Sequence, residues 1–200
     1  MNDRAGQHAG YRGGNNMSEA LQNALTEADL ARAADLLRAG ADINARTTFG
    51  DSLLAEVIAV ISDETERRAV VQFMLDHGAD PGLLDQEGGG PLFAAVIAQD
   101  AEVVRLLLDR GADPNREHDM GEPLYDWAEF DFRYETFGLS LPETPTDADK
   151  ASEDAWLQFL DRLAVEYGRR QPDYLVLLRE RGALTHAEQQ RLKTARAESR

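Results

Sequence analysis

The side chains in this 200-residue sequence that could do chemistry are four histidines and an excess of carboxylates. His8, His77, His118 and His186 stand far apart, and no two share a metal-ligand spacing on one helix. The chain has no cysteine, which removes thiolate metal sites, disulfides and cysteine nucleophiles. Asp147-Ala148-Asp149-Lys150 opens like a calcium loop, but Ser152 stands where such a loop needs glycine. Gly88-Gly89-Gly90 precedes a helical pattern without the Gly-Lys-Ser/Thr of a phosphate-binding loop. Glu129, Asp131 and Glu135 are close enough to pair for acid–base work, yet so acidic a stretch produces such spacings by chance. The reading is therefore of no catalytic residue, no metal and no cofactor.

What remains is charge. Thirty-seven acidic and 21 basic residues leave a formal charge of −16. That balance argues against nonspecific nucleic-acid binding and against docking on anionic lipid. It favours solubility and permits a basic protein partner. Residues 117–166 alone carry 14 acids and three bases, net −11. A quarter of the chain thus holds most of the charge.

The 42% apolar content suits one globular domain or two small ones. No stretch approaches the roughly 18 apolar residues of a membrane span. Residues 1–17 read as a polar, Gly-rich disordered leader, with Met17 an alternative start and Ser18 an N-cap ahead of Leu21 and Leu25. Nineteen arginines against two lysines, with much alanine, point to a GC-rich bacterial source, and a cytoplasmic location is the expectation.

The elements that position any site come from an internal repeat. Gly-Ala-Asp occurs at 40–42, 78–80 and 111–113, each copy after an apolar helical run. Ten residues after each copy's first glycine comes another: Gly50, Gly88 and Gly121. A weaker echo is Leu177-Leu178-Arg179-Glu180-Arg181-Gly182-Ala183. In the best copy a short helix starts at Pro91, and a second, capped by Asp100, ends at Gly111. One such pair cannot bury its apolar side, whereas stacked pairs make a continuous core.

The third copy carries a family resemblance: Gly90-Pro91-Leu92-Phe93-Ala94-Ala95, then Val103-Val104-Arg105-Leu106-Leu107-Leu108, then Gly111-Ala112-Asp113. These residues resemble the ankyrin-repeat family. Its Thr-Pro-Leu-His is Gly90-Pro91-Leu92-Phe93 here, so the threonine and histidine that tie the turn to the helix are missing. The resemblance implies an all-α solenoid with β-hairpin-type turns: repeats 1–3 over 18–121, a divergent fourth over 122–185, and a cap or tail over 186–200. The second copy has five extra residues, placed within Ser62–Arg68.

The fourth copy departs from the pattern. From Gly111 to Gly182 is 71 residues, against 33 for a regular unit, which implies an insertion over about 129–170. It begins with a cluster of rings from Tyr125 to Phe137. Trp127, Phe130, Tyr134 and Phe137 fit a helical face, while Phe130, Phe132 and Tyr134 fit a strand equally well. They read either as the core of a terminal cap or as a contact surface. A helix is expected from Asp154 to about Gly168, with Trp156, Phe159, Leu160, Leu163 and Tyr167 on one stripe.

The resemblance also implies where a partner would sit, on the hairpin tips and inner first helices. The tips correspond to Arg46, Thr48, Phe49 and Asp51, then Leu84, Gln86, Glu87 and Gly89, then Glu117, Asp119, Met120 and Glu122. The inner positions correspond to Ala59, Ile97, Ala98 and Glu129, with Trp127 from the aromatic cluster beside them. The expected function is a non-catalytic module, monomeric when free, binding a protein with a basic surface and neither nucleic acid nor membrane. An inhibitor or immunity-type protein and a self-assembling structural protein are the alternatives.

Overall fold

The computed structural model describes residues 9–85, 88–116, 123–137, 141, 143–167 and 172–198. Among them lie ten α-helices and no strand, only a single antiparallel bridge between Arg46 and Ser52. The chain divides into two compact units, one running to Asp113 and the other formed by residues 114–117 and 121–200. Asn115, in the second of these, is hydrogen-bonded to the 182–184 turn.

In the first unit α1 (Ala9–Thr26) packs on α2 (Leu30–Arg38), α3 (Leu53–Val60) on α4 (Glu64–Asp76), and α5 (Pro91–Ile97) on α6 (Ala101–Asp109). First helices also pack on first helices, α3 on α5, and second on second, α4 on α6. Leu21, Leu25, Ile58, Val70, Met74 and Leu107 are fully buried between these layers.

Local rules set the ends. Asp29, Asp63 and Asp100 cap the second helices, each carboxylate accepting a backbone N–H two or three residues on. Gly40, Gly78 and Gly111 close them with φ of 99°, 87° and 93°. The next alanine's N–H then donates to the carbonyl of Leu36, Met74 or Leu107. Only glycine enters that left-handed region without strain. Ala28 enters it too, with φ 56° just before the Asp29 cap. Ala28→Gly should therefore raise stability, by up to about 1 kcal/mol in urea denaturation.

Two expectations are corrected here. The disordered leader over 1–17 is contradicted over residues 9–17, since α1 begins at Ala9 and Ser18 lies inside it rather than at its cap. Burial of Leu21, Ala24 and Leu25 holds the helix, and extension from a formed helix adds one hydrogen bond per residue fixed. Residues 1–8 lie outside those described.

The five extra residues of the second repeat make no loop. They lengthen α3 to eight residues against seven in α5, and α4 to thirteen against nine in α6. Asp63 caps the new turn, and Glu64-Thr65-Glu66-Arg67-Arg68 contains no helix breaker. That turn carries Arg67 to Asp100, with Nε and Nη2 donating at 3.1 and 2.9 Å, while Nη1 donates to the Ile61 carbonyl at 2.8 Å. Arg68 Nε adds a bond of 2.9 Å to the same carboxylate. Burial alone would raise the Asp100 pKa; Arg67, the Val103 N–H and Arg68 together hold it below the usual carboxylate range.

The second unit holds α7 (Leu124–Phe137), α8 (Glu153–Glu166), α9 (Asp173–Glu180) and α10 (His186–Glu198). The aromatic segment is helical, so the insertion begins as a continuation of α7 rather than as a break at 129. Tyr125 is buried, Trp127 half-buried and Phe130 67% exposed, so the rings divide between interior and surface. Ser152 caps α8, whose Phe159, Leu160 and Leu163 bury against Leu141 and Trp156, while Tyr167 is exposed. The Asp147-Ala148-Asp149 segment is a turn, with Asp149 accepting from the Thr146 N–H and hydroxyl. No helix among the described residues is long and apolar enough to cross a membrane.

α9 packs on α7 and ends as the repeats do: Gly182 has φ 85°, and the Ala183 N–H donates to the Leu178 carbonyl. Thr185 and Glu188 then form a reciprocal capping box for α10. Arg179 braces it, donating to both Glu188 oxygens at 2.7 and 3.0 Å. The Arg179 guanidinium, with the Thr185 N–H, lowers the Glu188 pKa to about 2. A depressed acid contributes stability above its unfolded pKa, near 4.5, and loses it as pH falls toward 2. Amide protection factors in α10, taken relative to the intrinsic exchange rate at each pH, should accordingly fall between pH 4.5 and 2 in wild type, and Glu188→Gln should remove that dependence.

Candidate partner-binding groove

The two described hairpins of the first unit share one design, 38 residues apart. The Thr47 N–H donates to the Asp51 carbonyl and the Asp85 N–H to the Gly89 carbonyl. The side chain at the first position returns the bond: Thr47 Oγ1 accepts from the Asp51 N–H at 3.2 Å, and Asp85 Oδ1 from the Gly89 N–H at 2.8 Å. Arg46 braces its own hairpin through the Gly50 carbonyl at 2.7 Å. Ser52 caps α3, whereas Gly90 provides no side-chain cap for α5. The missing threonine thus costs one capping bond, and Pro91 at the first helical position offsets part of that loss.

Between these hairpins and the inner faces of α3 and α5 lies an open groove of about 260 Å³. α3 contributes Ala55, Glu56 and Ala59; α5 contributes Phe93, Ala94, Ile97 and Ala98. Phe93, Ala94 and Ile97 are Ala55, Glu56 and Ala59 moved on by 38 residues, because each first helix presents the same face, and Ala98 extends the α5 side. Asp51 and Asp85 close the hairpin side. The floor is mostly small and apolar, the rim acidic. Asp51 and Glu56 are half-buried, and neither side chain is hydrogen-bonded or ion-paired among the described residues.

The expected contact residues distribute unevenly. Asp51, Ala59, Ile97 and Ala98 line the groove, and Phe49 stands 87% exposed on the first tip beside exposed Arg46 and Thr48. Leu84 is half-buried beneath Gly90, where an added Cβ would come within 2.9 Å of its Cδ2. Gly89 is buried in the second hairpin. Gln86, Glu87, Glu117, Asp119, Met120 and Glu122 lie outside the described residues. Ala55, Glu56, Phe93 and Ala94 were not among the expected contacts, although they lie three or four residues before Ala59 and Ile97 on the same helix faces.

Glu129 differs from the other inner positions. Its position matches exposed Ile97, but it is only 8% exposed in the second unit and faces the Tyr125 hydroxyl at 3.5 Å. The Arg179 guanidinium lies 5.1 Å from the Tyr125 ring centre; its bond to Glu188 chiefly, and the Glu129 charge least, favour its protonated form. Asp126, one turn before, is occupied by the His186 N–H. Arg179 and His186, at the α9–α10 corner, thus lie against Tyr125 and Asp126 on the same stretch of α7, and Glu129 is buried. Trp127 on the same helix is half-buried.

A family model for ankyrin repeats matches residues 19–118 in three copies. No curated protein matches the chain. Ankyrin repeats generally mediate protein–protein interaction and are typically non-enzymatic. Three tandem copies spanning half the length, with repeated Asp caps, Gly-Ala ends and hairpins, show that this chain belongs to the ankyrin-repeat family.

Proposed function

We propose that this chain is a non-catalytic binding module whose first unit captures a protein with a basic surface in the α3–α5 groove. The observation that carries the reading is the groove itself, an apolar floor rimmed by Asp51 and Glu56, with Phe49 and Ile97 exposed nearby. Apolar surface supplies affinity, and the uncompensated carboxylates steer and select. The acidic stretch 117–166 would add long-range attraction for the same class of partner.

Affinity capture from the native lysate tests this with a matched variant. Wild type should retain a set of basic proteins, released by salt as screening shortens to about 8 Å near 0.15 M and further above it. Asp51→Lys with Glu56→Lys should lose that set. Unchanged capture by the double variant at every salt concentration would refute the groove as the site.

A second reading, self-association through the second unit, is favoured by exposed Phe130, Val165 and Tyr167. On the first reading the free chain is a monomer. Light scattering over a dilution series separates the two: a mass that grows with concentration supports assembly, and a constant monomer mass ends it.

A further inference from the structure

We propose that the groove is selective for arginine: one arginine side chain of the partner enters it, its guanidinium facing Asp51 and Glu56 and its plane lying on the Phe93 ring. This rests on the reading of the groove as the partner site and specifies what enters it.

The size of the groove comes first. About 260 Å³ lies below the roughly 300–1,000 Å³ that drug-sized ligands occupy, so it suits one long side chain rather than a cofactor or a docked helix. Its walls come next. Ala55, Ala59 and Ala94 leave the middle open, and Phe93 supplies an aromatic surface.

The charges then decide the occupant. Three carboxylates elsewhere are paired with arginine: Asp100 with Arg67 and Arg68, Asp76 with Arg110, Glu188 with Arg179. Asp85, on the same groove, is engaged by the Gly89 N–H. Asp51 and Glu56 are half-buried without such a partner. Both carboxylates line the same groove, so a cation brought there is attracted by both.

Arginine fits better than lysine. Its planar fork can donate to more than one carboxylate at once, it is less strongly hydrated, and it stacks on aromatic faces. A lysine ammonium would satisfy the charge but gain little from Phe93.

The test is titration of the ¹⁵N-labelled full chain with three acetylated, amidated pentapeptides, Gly-Ala-X-Ala-Gly, where X is arginine, lysine or neutral citrulline. Affinity for so small a probe falls in the range of about 1 mM or weaker. The arginine peptide should give saturable amide shifts within 51–59 and 90–98, and bind about two- to fivefold tighter than the lysine peptide, the size of an exposed cation–π contact. Citrulline should not bind. Glu56→Gln should weaken both charged probes, whereas Phe93→Leu should weaken arginine alone; circular dichroism checks that each variant is folded. Exposed Glu66→Gln on α4 serves as the control.

Equal binding of arginine and lysine at the groove would overturn the arginine selectivity and leave the basic-partner reading standing. Equal binding of citrulline would overturn both. Shifts mapping elsewhere, or none with any probe, would overturn the subsite, while the affinity capture above still decides the broader reading.

Discussion

Asp100→Ala should destabilise the first unit by about 3–5 kcal/mol, the range for breaking one side of a buried ion pair. The carboxylate is inaccessible and accepts from Arg67 and Arg68 of the preceding repeat while capping α6 through the Glu102 and Val103 N–H groups. Its removal leaves the Arg67 guanidinium 7% exposed with the Ile61 carbonyl as its remaining bond. Loss of the helix cap accounts for about 1 kcal/mol of the total. A unit of about 100 residues loses roughly 4–8 °C per kcal/mol, so the melting temperature should fall by about 15 °C or more. Asp100→Ser with Arg67→Met keeps a cap and removes both charges. That double variant should be more stable than Asp100→Ala alone, because the cost lies in the orphaned charge rather than in the absence of a pair. If Asp100→Ala costs no more than a cap, the Arg67 contact contributes nothing.

Asn115→Ala should destabilise the second unit by roughly 2–4 kcal/mol. Its amide donates to the Gly182 carbonyl at 2.7 Å and accepts from the Leu184 N–H at 2.7 Å, so alanine leaves two backbone groups without their partner at about 1–3 kcal/mol each. Asn44 makes the same clamp in the first unit, donating to the Gly78 carbonyl at 3.1 Å and accepting from the Asp80 N–H at 2.8 Å. Asn44→Ala is therefore the internal comparison. Hydrogen exchange should show the loss of protection in α9 and α10 for Asn115→Ala and in α4 for Asn44→Ala. Unaltered protection of α9 in Asn115→Ala would mean that the clamp does not seat the returning helix.

That pair of asparagines makes one clamp at two spacings. Gly111 and Gly182 lie 71 residues apart, yet Asn115 grips the later turn as Asn44 grips the one after its own. Between them α7 runs for fourteen residues and α8 for fourteen more before α9 begins.

Helix limits were readable where the cause is local. An aspartate N-cap acts over three residues and a glycine end over five, so Asp29, Asp100, Gly78 and Gly182 announce themselves in the chain. The α8 stripe and its start were readable for the same reason, through Ser152 and the spacing of Phe159, Leu160 and Leu163. The hairpin tips and inner helix positions followed from repeat register. Residues 55, 56, 93 and 94 of the groove needed that same register carried one helix face further.

Other features depend on partners far away in the chain. Arg67 reads as an ordinary charged residue in an acidic helix, and only the next repeat, 33 residues on, makes it interior. Glu129 matches exposed Ile97 by repeat register, yet it is buried, on a stretch of α7 where Arg179 lies over Tyr125 and the His186 N–H bonds Asp126. Asp51 and Glu56 are two acids among 37 until the fold sets them in one groove with Phe93. By itself the sequence determined the family, the repeat register and the ends of most helices, because those depend on backbone conformation within a few residues. Tertiary structure alone decided which charges are buried, which are neutralised and which are left facing open space, because burial and pairing arise only where separate repeats meet.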